Sequence, residues 1–180
     1  MFVVAISLLA FYSCSKENES VETTESKFTQ QELKGPGNGN GVIHHASVGG
    51  NDACSAFGLP PGCDKSYTLV ANMRADGSVT GQWQDGFAGD VGGIHVSIDC
   101  LMIVGNAAIV GGVITHGSVN GNDLTGQYAV TAVWDNGTSN NDPDDQISYS
   151  YFGVDPNQTC DYDINVFPPL DLERGQVKVW

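Results

Sequence analysis

From residue 41 onward the apolar residues of this chain recur at every second position, a spacing that a strand can use and a helix cannot. In "YTLVANMR" Tyr67, Leu69, Ala71 and Met73 share one face. In "GIHVSIDCLMIV" the same count groups Ile94, Val96, Ile98, Cys100 and Met102, with His95, Ser97 and Asp99 opposite. The segments "LTGQYAVTAVWD" and "QISYSYFG" alternate similarly, whereas "NAAIVGGVIT" is apolar on both faces, as a central strand would be. Asp76-Gly77, Gly105-Asn106 and Asn120-Gly121 mark hairpin turns between these runs. The pattern predicts an all-β domain of about eight to ten antiparallel strands, read as a single β-barrel with a β-sandwich as the alternative.

The distribution of charge agrees. All six glutamates, Glu17, Glu19, Glu22, Glu25, Glu32 and Glu173, lie near the two ends. Between Gly35 and Leu172 every acid is Asp, and Lys65 and Arg74 are the only cations. Asp, Asn and Gly favour turns while Glu and Lys favour helices, so the body is turn-rich and helix-poor. A formal charge of -14 argues against a nucleic-acid partner, because a protein that grips phosphates needs a cationic surface. One phrase recurs, as "DGSVTGQW" at 76–83 and "NGNDLTGQY" at 120–128. It indicates two similar hairpins, with Gly81 and Gly126 bending strands or relieving crowding where a sheet closes.

The leader "MFVVAISLLAFYS" carries no charge. As a helix it would reach only ~20 Å, short of the ~30 Å hydrocarbon core, so it matches the apolar region of a secretory signal and not a membrane span. "LAFYSC" resembles the lipobox of bacterial lipoprotein signal peptides, in which small residues precede a cysteine that becomes lipidated; Ser13 fits, and Phe11 and Tyr12 depart from the pattern. "CSKENE" resembles the signal that sends some Gram-negative lipoproteins to the outer face of the outer membrane. These resemblances imply a signal peptide over residues 1–13, Cys14 as an acyl anchor in the lipid bilayer, and an outer-membrane location facing the cell exterior. Residues 14–40 are poor in apolar side chains and read as a flexible tether, leaving 41–180 as the β domain.

Without Cys14, an even set of four cysteines remains, Cys54, Cys63, Cys100 and Cys160, as expected of disulfides in an oxidising compartment. The short loop "CSAFGLPPGC" favours Cys54 with Cys63, because Pro60, Pro61 and Gly62 can reverse the chain, and elimination then pairs Cys100 with Cys160. A zinc site would need close pairs such as C-x-x-C, and the sequence has none.

The order "HVSIDCLMIVGNAAIVGGVI", "VWDNG", "DQIS" is similar to that of a family of uncharacterised secreted bacterial proteins, over about residues 67 to 152. The resemblance implies a compact secreted β domain and brings no catalytic residue or cofactor with it.

Candidate chemistry is sparse. The densest polar stretch is "DNGTSNNDPDDQ", in which Asp135, Asp142, Asp144 and Asp145 offer oxygens to calcium, although the EF-hand spacing is absent and a solvated hairpin loop is the plainer reading. His95 and Asp99 would lie about 13 Å apart along one strand, too far for a direct dyad. With Asn72 and Arg74 from a neighbouring strand they would line a ligand pocket in a barrel with a polar interior, or the solvent face of a sandwich. His44 and His45 point to opposite faces, and nothing in the sequence brings His95 and His116 together for a transition metal. No G-x-S-x-G, S-x-x-K or H-E-x-x-H motif is present. Trp83, Tyr128 and Trp134 read as core or rim aromatics, and as a sugar platform only if exposed in a row. The expectation is a non-catalytic binding or structural module at the cell surface; the alternative is a small-molecule-binding barrel, enzymatic or not, that uses the polar lumen face.

Overall fold

The computed structural model describes residues 41–51, 54, 58, 60, 66–87, 91–139, 141–158 and 160–180; the expected signal peptide, Cys14 and the tether lie outside them. The described strands are β1 (Val42–Asn51), β2 (Ser66–Arg74), β3 (Val79–Gly86), β4 (Gly92–Val104), β5 (Ala107–Val119), β6 (Asn122–Asp123), β7 (Tyr128–Trp134), β8 (Gln146–Ile147), β9 (Tyr151–Phe152), β10 (Leu170–Asp171) and β11 (Arg174–Val179). All pairings are antiparallel, in the order β10-β8-β7-β5-β4-β3-β2-β1-β11, with β6 added to β5 and β9 to β7. This nine-strand path curls into a half-barrel, so the expected all-β, barrel-type architecture holds.

The three turn signals all close hairpins. Gly77 adopts φ +81° between β2 and β3, and Gly105 adopts φ +65° between β4 and β5. At Asn120-Gly121 both residues are left-handed (φ +50° and +78°), the geometry a two-residue turn needs to match strand twist. The two copies of the repeated phrase diverge at their glycines. A Cβ on Gly81 would lie 2.1 Å from the Val70 carbonyl oxygen, so this glycine permits close strand approach, whereas Gly126 is a turn residue at φ +84° with open space around it.

Two bulges bend the long β4–β5 pair. Asp99 is an extra residue on β4, between Ile98 opposite Gly112 and Cys100 opposite Gly111; Thr115 is an extra residue on β5, between Ile114 opposite Val96 and His116 opposite His95. A bulge inverts the alternation beyond it. Leu101 is therefore buried in the interior and Ile103 packs against it, while Cys100 and Met102 turn outward. This corrects the sequence expectation that Cys100 and Met102 continue the face of Ile94, Val96 and Ile98.

The concave interior is apolar. Val48, Tyr67, Leu69, Trp83, Ile94, Val96, Ile98, Leu101, Val110, Ile114, Val133, Ile147 and Val177 form one buried cluster. Full burial of each Leu, Ile or Val contributes about 1.5–3 kcal/mol, so this cluster dominates stability. Some polar groups beside it are paired: the Tyr67 hydroxyl and Thr131 Oγ1 lie 2.8 Å apart, and Ser148 Oγ accepts from the Ala132 amide at 2.8 Å, whereas the buried Trp83 indole N–H has no hydrogen-bond partner among the described residues.

A second layer covers the outside of β5 and β7. Residues 151–167 carry Tyr151, Val154, Cys160, Tyr162, Ile164 and Phe167 onto Ile109, Val130, Ala132, Met102 and Trp134. Phe167 is buried there, with Tyr151 and Tyr162 edge-on to its ring at centroid distances of 5.6 and 6.0 Å. The Cys100–Cys160 disulfide staples this segment to β4, as the cysteine pairing predicts. Cys54 is disulfide-bonded and buried, and its expected partner Cys63 lies outside the described residues. The double-sided apolarity of "NAAIVGGVIT" thus has two causes: Ala108 and Val110 face the interior, and Ile109 faces the covering segment.

The two edges of the sheet, β10 and β11, are consecutive in the chain and separated only by Leu172 and Glu173. Across this seam two aspartates replace strand pairing. Asp145 accepts from the Val177 amide at 2.6 Å and from the Asn136 amide at 2.8 Å, and Asp135 accepts from the Val179 amide at 3.1 Å.

Candidate functional site

The covered side of the sheet is apolar, and the uncovered side is not. On the outer face of β2–β5 the registers align Thr68 with Gln84, Gln84 with His95, and His95 with His116, giving a polar row across four strands. All four side chains are exposed. The next row runs Val70, Gln82, Ser97, Val113, with Val70 46% and Val113 38% exposed. Thr115, the bulged residue, donates from its hydroxyl to the His95 carbonyl at 3.1 Å and locks the bulge.

Two grooves meet at this row. One, of about 500 Å³, runs over the end of β3–β5 and is lined by Gln84, His95, His116, Ser118, Asp123 and Thr125. Its floor is glycine backbone, Gly86, Gly92, Gly93, Gly117 and Gly121. A Cβ on Gly117 would lie 2.4 Å from the Gly93 carbonyl oxygen, so the floor stays flat because side chains do not fit. The other groove, of about 320 Å³, is lined by Thr68, Gln82, Gln84, His95, Ser97 and Thr115. Gln84 and His95 belong to both.

His95 and His116 stand directly opposite each other, with ring centroids 6.0 Å apart and planes inclined by 52°. Asp123 lies in the same groove. Hydrogen bonds from the Thr125 side chain and backbone hold its carboxyl below its ordinary pKa, with a smaller contribution from the charge of His116. The Asp123 carboxylate accepts from the Thr125 amide at 2.9 Å.

The four residues expected in a polar lumen share one face, but it is the outer one. His95 and Arg74 are exposed, and Asn72 is half-buried with its Oδ1 2.8 Å from His45 Nδ1. Asp99 sits on its bulge and accepts a hydrogen bond from the Tyr128 hydroxyl. Partial desolvation raises the Asp99 pKa above the ordinary carboxyl value. The lumen face belongs instead to Tyr67, Leu69, Trp83 and Val96, which corrects the lumen-pocket expectation: the polar members of each alternating strand turn to solvent because the apolar ones fill the interior.

The acidic stretch also has a structural assignment. Asp135 and Asp145 span the seam, and Asp142 Oδ2 accepts from the Ser139 amide at 2.8 Å. Asp144 contributes its backbone carbonyl to the Asn136 side chain at 2.7 Å. Among the described residues no group of three or more His, Cys, Asp or Glu is placed to hold a metal ion, and Asp135, Asp142 and Asp145 accept hydrogen bonds from backbone amides. Trp83 and Tyr128 are buried and Trp134 packs under the covering segment, so they make no exposed sugar platform.

Gln84 and Asp123 escaped the sequence reading, which considered His116 but did not bring it opposite His95. A signal for His116 was present. Counting nine residues back from Val104 and nine forward from Ala107, the two residues flanking the Gly105-Asn106 turn, reaches His95 and His116. The two bulges, one on each strand, offset each other and leave that simple count correct at its far end. No protein-family model, curated protein or solved structure matches the chain.

Proposed function

We propose that this chain is a lipid-anchored protein of the bacterial outer surface, whose half-barrel is a non-catalytic binding module working through the bare outer face of β2–β5. One observation carries the binding role: a single sheet has its apolar outer side sealed by residues 151–167, while its polar side is left as two connected grooves. The filled interior supports contact from outside over a ligand inside. The groove side chains include five hydroxyls (Thr68, Ser97, Thr115, Ser118 and Thr125), two carboxamides and two imidazoles beside the Asp123 carboxylate, a hydrogen-bonding set that suits a neutral, hydroxyl-rich ligand, since a protein of charge -14 repels anions.

The anchor rests on Cys14 and its flanks in the sequence. Intact mass of the membrane-extracted protein tests it: an acyl mass on a chain beginning at Cys14 supports the reading, and an unacylated chain overturns it. The binding face is tested on an array of neutral oligosaccharides. Binding that falls at least tenfold in Gln84→Ala supports it; no binding at millimolar concentration, or binding indifferent to Gln84, overturns it.

A further inference from the structure

We propose that His95 and His116 form a two-imidazole site for a divalent transition-metal ion of the class of Cu²⁺, Ni²⁺ and Zn²⁺. This deepens the binding role proposed for the same groove and shares its residues. Imidazole suits these borderline ions, and each metal–nitrogen bond is about 2.0–2.1 Å. An ion so bound sits about 3 Å from each ring centre, which places centroids 6.0 Å apart within the span of one ion. Both rings are exposed, so neither has to leave a packed environment to turn a nitrogen toward it.

The surroundings favour a cation. Asp123 lines the same groove, its carboxylate accepting from the Thr125 amide at 2.9 Å. The groove of about 500 Å³ over a glycine floor has room for water to complete the coordination sphere. Among the described residues no third His, Cys, Asp or Glu joins the pair, so the site is an open one with two protein ligands. Two offsetting bulges bring the rings opposite each other, and bulges characteristically re-aim side chains at functional positions. Affinity follows the order Cu²⁺ above Ni²⁺ and Zn²⁺.

The test is calorimetric titration of the full chain, carrying no added histidine tag, with Cu²⁺ and then Zn²⁺ at pH 7.5. We expect one equivalent of Cu²⁺ bound in the micromolar range. His95→Gln and His116→Gln each weaken it at least tenfold, the double variant adds little because the rings act as a unit, and His44→Gln leaves it unchanged. A second readout needs no variant: Cu²⁺ broadens the imidazole proton signals of His95 and His116 before that of His45, whose ring is bonded to Asn72. No binding up to millimolar Cu²⁺, binding indifferent to both substitutions, or first broadening elsewhere overturns the proposal. The two readings fail separately. Oligosaccharide binding lost in Gln84→Ala with no metal uptake removes the metal site alone; metal uptake with no oligosaccharide binding removes the hydroxyl-rich ligand and leaves the metal site standing.

Discussion

The outer faces of β5–β7 and of β2–β5 belong to one continuous sheet and have opposite fates. The first presents Ile109, Val130 and Ala132 and is sealed by residues 151–167 through Phe167 and the Cys100–Cys160 disulfide. The second presents Thr68, Gln84, His95 and His116 and is left open among the described residues. The difference was decided strand by strand: one apolar face per strand suffices to fill the interior, so a second apolar face requires a second layer. A polar second face is free for contact.

The strongest way to break this comparison is to free the covering segment. Replacing both Cys100 and Cys160 by Ala opens a loop with a sequence separation of 60 and should lower unfolding free energy by about 3–4 kcal/mol in urea denaturation. Phe167→Ala removes the ring that plugs the covered face and should cost about 3 kcal/mol, with new binding of a hydrophobic dye. The contrast also needs the sheet to stay curled. Asp145→Ala strands the Val177 and Asn136 amides at the seam and should cost about 2 kcal/mol, with accelerated amide exchange at Val177. On the open face the same treatment should do almost nothing: Thr68→Ala and Gln84→Ala should stay within about 0.5 kcal/mol of the parent.

The smallest effect concerns Asp123. Its pKa lies below the ordinary value of 3.8, so the stability it contributes is present above 3.8 and is lost as pH falls through the lower folded value. Thr125→Val, which removes the largest cause, should move the Asp123 carboxyl back toward 3.8 in an NMR titration.

Much of this contrast was legible before any coordinates. Alternation in β2 placed Tyr67, Leu69, Ala71 and Met73 together, and "NAAIVGGVIT" announced a strand buried on both sides. The bulge at Asp99 was not legible, because an inserted residue leaves no mark on a binary pattern that is apolar at Cys100, Leu101 and Met102 alike. For the same reason the outward turn of Cys100, which lets it reach Cys160, came only from the register. The seam roles of Asp135 and Asp145 were not legible, because carboxylates that cap a sheet edge and carboxylates that hold an ion share the same composition. Alternation assigned His95, Asn72 and Arg74 to one face but could not say whether that face looked inward.

Carbethoxylation of the purified full chain, read by mass spectrometry, tests most directly whether that face looks outward. If the polar row faces solvent and the interior is filled, His95 and His116 react fast, and His45, stacked on Trp180 at 5.4 Å and bonded to Asn72, reacts slowly. Protection of both His95 and His116 while His45 reacts would place the row inside the half-barrel and contradict it.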